Sequence, residues 1–396
     1  LRRVNLNDEK WVRALFDDPD PEIRFECLRW IADAVLTGFS GEVETLLSDA
    51  SLDYRLFEAT LATWNTLRGE PGAGVTNPEV LVERITDPKT PARLKGYALR
   101  LAPNTHAKLT LPLMRELLAV GDPVLSLEVV RTLSAQQTDG ARAMLAEVAA
   151  DSARESGLRA EAVAGLATST LPGDQTLLIT LASEKDAAIR DEALRALRIS
   201  SPDEPAREKL RGVAAAFLGS APLVNAILDP ASLNAGRPGF EDTDAWMKRL
   251  AAVPGAPDLE AGRRVFFHSR MALCSSCHRH DGRGVVLGPD LSLIGNQGDE
   301  AALLRSILEP HREVAPQFYP SQVKLVDGTE FVGILLRSSN TEVFRDLTGK
   351  ERSFPKPDIL ERTELRTSLM PPGLVSTMTD RELRDLLAFL SSTKGS

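Results

Sequence analysis

Cys274-Ser275-Ser276-Cys277-His278 is the stretch on which the reading of this chain turns. Two thiols separated by two residues, followed at once by a histidine, form the covalent attachment signature of c-type haem. On one helical turn Cys274 and Cys277 can each form a thioether to a porphyrin vinyl group, and His278 then sits beneath the iron as an axial ligand. Two other chemistries use paired cysteines. A structural zinc site needs a second pair of Cys or His ligands, whereas the third cysteine, Cys27, lies far upstream in a helix-like stretch. A thioredoxin-type pair belongs in a βαβ pattern, and that pattern is absent around this motif.

Downstream, Gly288-Pro289-Asp290-Leu291 follows the histidine. A ligating histidine donates its second ring N–H to an acceptor that fixes its orientation, and the Pro289 carbonyl is the candidate; an ordinary Gly-Pro turn is the other reading. For the sixth iron ligand, Ser368-Leu369-Met370-Pro371-Pro372-Gly373 presents a methionine in a Pro-rich loop. Met370 is therefore the expected distal ligand, with His268, His280 and His311 as alternatives, and Met271 and Met378 read as packing residues. Residues 258–267 form a helix capped by Asp258, with Gly262 marking a close crossing by another element. The crossing partner is a final helix opened by the capping box Thr379-Asp380-Arg381-Glu382 and carrying Leu383, Leu386, Leu387, Phe389 and Leu390.

These features in this order resemble a class I c-type cytochrome. The resemblance implies thioethers at Cys274 and Cys277, proximal His278 oriented by Pro289, distal Met370, and a helix crossing at Gly262 and Phe389. One part departs from small cytochromes. Residues 322–336 alternate around Asp327-Gly328, and 341–347 with 351–354 flank Thr348-Gly349-Lys350, so two hairpins are expected in a β-rich insertion at about 320–360. That insertion could shield a haem edge, contact a partner, or be a small packed sheet without chemistry of its own. With it, the segment is similar to the haem-binding family of planctomycete and verrucomicrobial type, in which HEAT-like repeats, and often a propeller-type dehydrogenase domain, precede the cytochrome.

The upstream sequence is repetitive. Phe16-Asp17-Asp18-Pro19-Asp20-Pro21-Glu22-Ile23-Arg24 reads as an acidic, proline-bearing turn and a helix with a basic residue near its start. Equivalent positions at 24, 55, 95, 126, 159 and 190 recur every 31 to 40 residues, a period that indicates a helical solenoid. The units resemble HEAT repeats, in which the repeated Arg is structural. The expected architecture is mainly α: a HEAT-like array over 1–225, a Pro/Gly-rich linker with a short helix over 226–256, and a cytochrome c-like domain over 257–396.

Composition bounds the function. The net charge is −9, and residues 251–396 balance 18 Lys/Arg against 19 Asp/Glu, so the excess acid lies in the first 250 residues. An acidic region argues against a nucleic-acid role, and no apolar run is long enough to span a bilayer. Three cysteines do not make a disulfide framework, and Cys27 reads as a buried core thiol. The chain opens on Leu1 without a signal-peptide pattern, which reads as a processed chain or a piece of a longer one.

The expected function is one-electron transfer through one covalent haem c, with His278 and Met370 as iron ligands and no catalytic residue. Its partners are then a dehydrogenase donor and a downstream acceptor protein, and its location is the periplasm or another exported compartment. Two alternatives remain: a peroxidase-like haem enzyme with an open or displaceable sixth ligand, and a HEAT-based interaction module with a sensory or structural haem.

Overall fold

A computed structural model describes residues 9–69 and 77–393. The protein is mainly helical with a small sheet part. Its first compact unit runs from Leu1 to Glu147 and its second from Val148 to Gly395. In the first unit the helices are Glu9–Phe16 (α1), Pro21–Asp33 (α2), Ser40–Leu46 (α3), Tyr54–Leu67 (α4), Pro78–Thr86 (α5), Ala92–Leu101 (α6), Leu111–Ala119 (α7) and Pro123–Gln136 (α8), and Asp139–Ala150 (α9) runs across the division. The second continues with Ser156–Gly165 (α10), Pro172–Leu181 (α11), Ala187–Ala196 (α12), Glu204–Ala216 (α13), Ala221–Leu228 (α14), Thr243–Ala251 (α15), Leu259–Phe266 (α16), Glu300–Leu308 (α17) and Asp380–Ser392 (α18).

The acidic turns act as helix starts. Asp53, Asp122 and Asp186 each accept a hydrogen bond from a backbone N–H of the helix they precede, at 2.8–2.9 Å, which satisfies a donor that the first helical turn leaves open. Proline at the first helical position, as in Pro21 and Pro123, loses nothing by lacking an N–H there. Even-numbered helices pack in series, α2 on α4 and α4 on α6 and α6 on α8 in the first unit, then α10 on α12 and α12 on α14 in the second. The repeated basic residue is structural. Arg159 donates to the Ala149 carbonyl at 2.9 Å and to Glu184 at 2.7 Å, and Arg190 donates to the carbonyls of Glu184 and Lys185. Cys27 is buried and donates to the Val12 carbonyl.

In the second unit α16 crosses α18 at Gly262. A Cβ at that position would lie 2.0 Å from the Asp385 carbonyl oxygen, so only glycine admits the crossing. Around it Trp246 and Leu250 of α15, Val265 and Phe266 of α16, Leu304 and Leu308 of α17, and Leu383, Leu386 and Leu390 of α18 form one apolar core. Both helix starts are capped. Asp258 accepts from Ala261 N at 2.9 Å, and Thr379 and Glu382 form a reciprocal capping box.

A short hairpin, Arg279–His280 (β1) with Arg283–Gly284 (β2), follows the CxxCH motif. The insertion is a five-stranded antiparallel sheet of Pro320–Leu325 (β3), Glu330–Ser338 (β4), Thr341–Asp346 (β5), Glu351–Pro355 (β6) and Ile359–Glu364 (β7), in the order β6-β5-β4-β3-β7. Its core gathers Val323, Leu325 and Phe344, with Phe331 and Phe354 against Phe344. Strand β7 has no counterpart in the sequence expectation. It is an edge strand with almost every side chain in solvent, so its residues lack the apolar alternation of a half-buried strand.

A buried set of charges joins α12 to α16 and α18. Arg195, 1% exposed, donates to Glu192 at 2.7 Å and to Glu382 at 3.2 Å. Arg198, just beyond α12, donates to both oxygens of Glu382, Arg264 of α16 donates to Glu192 at 2.7 Å, and Arg381 of α18 donates to Asp191. Arg263 donates to Glu161 of α10. Helices α10 and α12, which carry two copies of the sequence repeat, are thus fastened to the two crossing helices within one compact unit. No helix among the described residues is long and apolar enough to cross a membrane.

Candidate functional site

Cys274 to Ser276 forms a single tight helical turn, closed by hydrogen bonds from Cys277 N and His278 N to the Cys274 carbonyl at 3.1 and 2.8 Å. The following chain folds back over it. Leu287 N and Gly288 N both donate to the Cys277 carbonyl, and Val285 N donates to Ser275 O. The return is made by an Asp281-Gly282 turn, both residues having positive φ, between β1 and β2; the Asp-Gly dipeptide is the sequence signal for it.

That return puts the loop after the hairpin beside the His278 ring. His278 Nδ1 lies 2.9 Å from the Pro289 carbonyl oxygen. A carbonyl only accepts, so Nδ1 carries the proton and the neutral ring keeps its lone pair on Nε2. Gly288 packs flat against the imidazole: a Cβ there would stand 2.6 Å from Cε1 and 2.9 Å from Nδ1. Burial pushes the imidazole's pKa down, against the opposing pull of the Pro289 hydrogen bond and of Asp290. The net shift favours the neutral imidazole, the form that binds a metal.

The two thiols are free and partly buried. Burial pushes Cys274 up to about 12 and raises Cys277 as well. In both, burial favours the neutral thiol over the thiolate. Among the described residues no group of three or more His, Cys, Asp or Glu side chains comes together in a way that could hold a metal ion.

Just before the motif, Ala272 and Leu273 both adopt left-handed backbone with φ of 53° and 57°, a conformation that costs a non-glycine residue on the order of 1–2 kcal/mol. The turn is held from outside, where Ala272 N donates to Thr377 Oγ1 at 3.1 Å. Thr377 belongs to the turn Leu374–Thr377 that follows the Met370 loop, and its carbonyl accepts from Arg198 of the buried charge set.

Met370 is half-buried in an irregular loop, and its N–H donates to Ser368 Oγ at 3.0 Å. The other sulfur and imidazole candidates have different surroundings. Met271 and Met378 are buried at 1% and 0% exposure. The His280 ring is buried against Phe389 and Phe266, with centroids 4.7 and 5.7 Å away. His268 is buried, its Nδ1 accepting from the N–H groups of Arg270 and Met271. His311 is exposed and bonded to the Met370 loop at Thr367 and Ser368.

The sheet touches the loop behind His278. Arg345 of β5 donates to the Val286 carbonyl at 2.8 Å, and Gly349 in the β5–β6 turn packs on Val285, where a Cβ would meet Cγ1 at 2.6 Å. At the far end of β7, Leu365 N donates to Pro320 O, and the chain runs from there into the Met370 loop. No family model matches this chain, and no curated protein matches it.

Proposed function

We propose that this chain is a one-electron carrier with a single covalently attached haem c. The observation that carries the reading is the His278 Nδ1 bond to the Pro289 carbonyl, because it fixes the tautomer and leaves Nε2 as the ligand atom. The residues fit the group chemically. Cys274 and Cys277 are reduced thiols, the form that adds to vinyl groups, and Gly288 leaves no side chain between its backbone and the ring that would bind iron. When bound, haem supplies Fe(III)/Fe(II) cycling.

The chain's own residues then have distinct tasks. Cys274 and Cys277 tether the porphyrin. Pro289 orients His278 and raises its basicity, and Met370, by offering a thioether, favours the reduced iron and a relatively high potential. No acid–base step is required of the protein. The helices up to about 225, read as a HEAT-like solenoid, serve as scaffold or docking surface for a redox partner, with a dehydrogenase as donor and a second protein as acceptor. Covalent haem attachment implies maturation outside the cytoplasm, in the periplasm or another exported compartment.

The test is the absorption spectrum of protein produced in a host competent for c-type maturation. The expected result is haem that stays on the chain after acid–acetone extraction, with a weak far-red charge-transfer band in the ferric state. A five-coordinate high-spin ferric spectrum would sink the carrier reading in favour of a peroxidase-like enzyme. Cys274→Ser with Cys277→Ser is expected to abolish covalent haem altogether.

A further inference from the structure

The loop that carries Met370 has an anchor outside itself. His311 lies in the segment that follows α17, more than fifty residues upstream, yet its Nδ1 accepts the Ser368 backbone N–H at 3.2 Å and lies 3.1 Å from Thr367 Oγ1. A backbone N–H only donates, so Nδ1 is unprotonated and the ring's proton is on Nε2. Ser368 passes the constraint on, since its Oγ accepts the Met370 N–H at 3.0 Å. On the other side of the methionine, Pro371 and Pro372 limit the backbone, and Gly373 turns it with a φ of 82°. The Met370 backbone is therefore held from both directions, by a bonded relay on one side and by proline geometry on the other.

The geometry points to His311 as a positioning residue for the Met370 thioether, acting through Ser368. This deepens the proposed function and rests on Met370 being the distal ligand. A methionine–iron bond is weak enough that a loosely held loop surrenders the position to an external ligand, so an acceptor that fixes the loop tightens the sixth coordination site. Sequence alone ranks His311 as a rival ligand of the iron. Its Nδ1 is committed to the loop backbone instead, which makes it the rival's support.

The experiment uses the full holoprotein in the ferric state and reads two quantities, the far-red charge-transfer band and the dissociation constant for added imidazole. His311→Leu removes the acceptor from an exposed position, and Ser368→Ala breaks the next link of the relay. Each is expected to weaken the far-red band and to tighten imidazole binding on the order of tenfold, the equivalent of one lost hydrogen bond. His311→Asn, whose amide oxygen can accept from Ser368 N–H, is expected to return imidazole affinity to within about threefold of wild type. A purely structural role would leave both readings unmoved while lowering thermal stability, and that result would overturn the inference. If the wild-type band is present and is lost in Met370→Ala, but neither His311→Leu nor Ser368→Ala changes imidazole affinity, the inference fails and Met370 ligation stands. If the wild type has no band and Met370→Ala leaves its spectrum unchanged, the ligand reading itself fails and takes the inference with it.

Discussion

Helices α2 to α8 and helices α10 to α12 carry copies of the same sequence repeat, yet their buried charges reach different partners. In the first unit Arg29–Glu26 and Arg115–Glu147 stand in solvent, and the buried Glu128 carboxylate is held within the repeat helices, by Arg100 of α6 and Arg131 of α8. Around α12 the fully buried carboxylates are bonded across elements: Glu192 by Arg195 of α12 and Arg264 of α16, and Glu382 of α18 by Arg195 and the nearby Arg198. Exposed pairs contribute little. Buried ones make a structure intolerant of losing one member, because the partner left behind is a desolvated charge. A repeat helix can thus keep its pattern and change its role: α12 serves as a mount for the crossing of α16 and α18.

The sharpest way to break this contrast is Glu382→Ala. It leaves the buried Arg198 without a carboxylate and Arg195 with Glu192 alone, and it opens the capping box of α18, so a loss of about 3–5 kcal/mol in denaturant unfolding of the second unit is expected. The same carboxylate sets a pH limit. Burial alone would raise the Glu382 pKa, but Arg198 and Arg195 outweigh it and hold it below the usual value. A depressed folded-state pKa contributes stability above the unfolded-state value and loses it as pH falls through the folded one. Melting temperature should therefore drop as pH falls below about 4.3, and Glu382→Gln should flatten that limb. Asp385, raised by burial, works in the opposite sense and does not produce the limb.

A second, smaller effect is expected at the crossing itself. Gly262→Ala drives a Cβ into the Asp385 carbonyl, where backbone cannot yield cheaply, and should cost about 1–3 kcal/mol by chemical denaturation. Asp258→Ala removes the cap of α16 and should cost about 1 kcal/mol in the same measurement. At the bottom of the scale, Glu26→Ala in the first unit should change stability by less than about 1 kcal/mol. If Glu26→Ala and Glu382→Ala proved equally costly, the contrast between the exposed pair and the buried set that joins α12 to α18 would have no energetic content.

What could be read in advance follows from how local its cause is. Asp258, the Thr379–Glu382 capping box and the Asp-Pro helix starts are contacts within three residues, and the patterns that encode them are short. Gly262 was legible because a glycine inside an amphipathic helix implies a neighbour, and the leucine-rich final helix was the evident one. The bond from His278 to Pro289 spans only 11 residues and follows from what a metal-binding imidazole needs. The buried charges were not legible. Arg195 and Glu382 are 187 residues apart, and each alone looks like the solvent-facing charge of an ordinary helix. The left-handed pair Ala272–Leu273 escaped for another reason: neither residue type favours that backbone, and the donor–acceptor contact that holds it comes from Thr377.

The division of the buried charges also governs how this protein could be recombined. A crossover near residue 225 would give the recipient an α18 whose Glu382 arrives without Arg195 and Arg198, and would leave the donor an α12 whose Glu192 and Asp191 have lost Arg264 and Arg381. Both products begin with a defect that no surface substitution repairs. A crossover near residue 148 separates no member of the set, since Glu161, Asp191, Glu192, Arg195 and Arg198 travel with Arg263, Arg264, Arg381 and Glu382. The heritable cassette is therefore the Cys274–His278 segment together with the repeat helices that mount it.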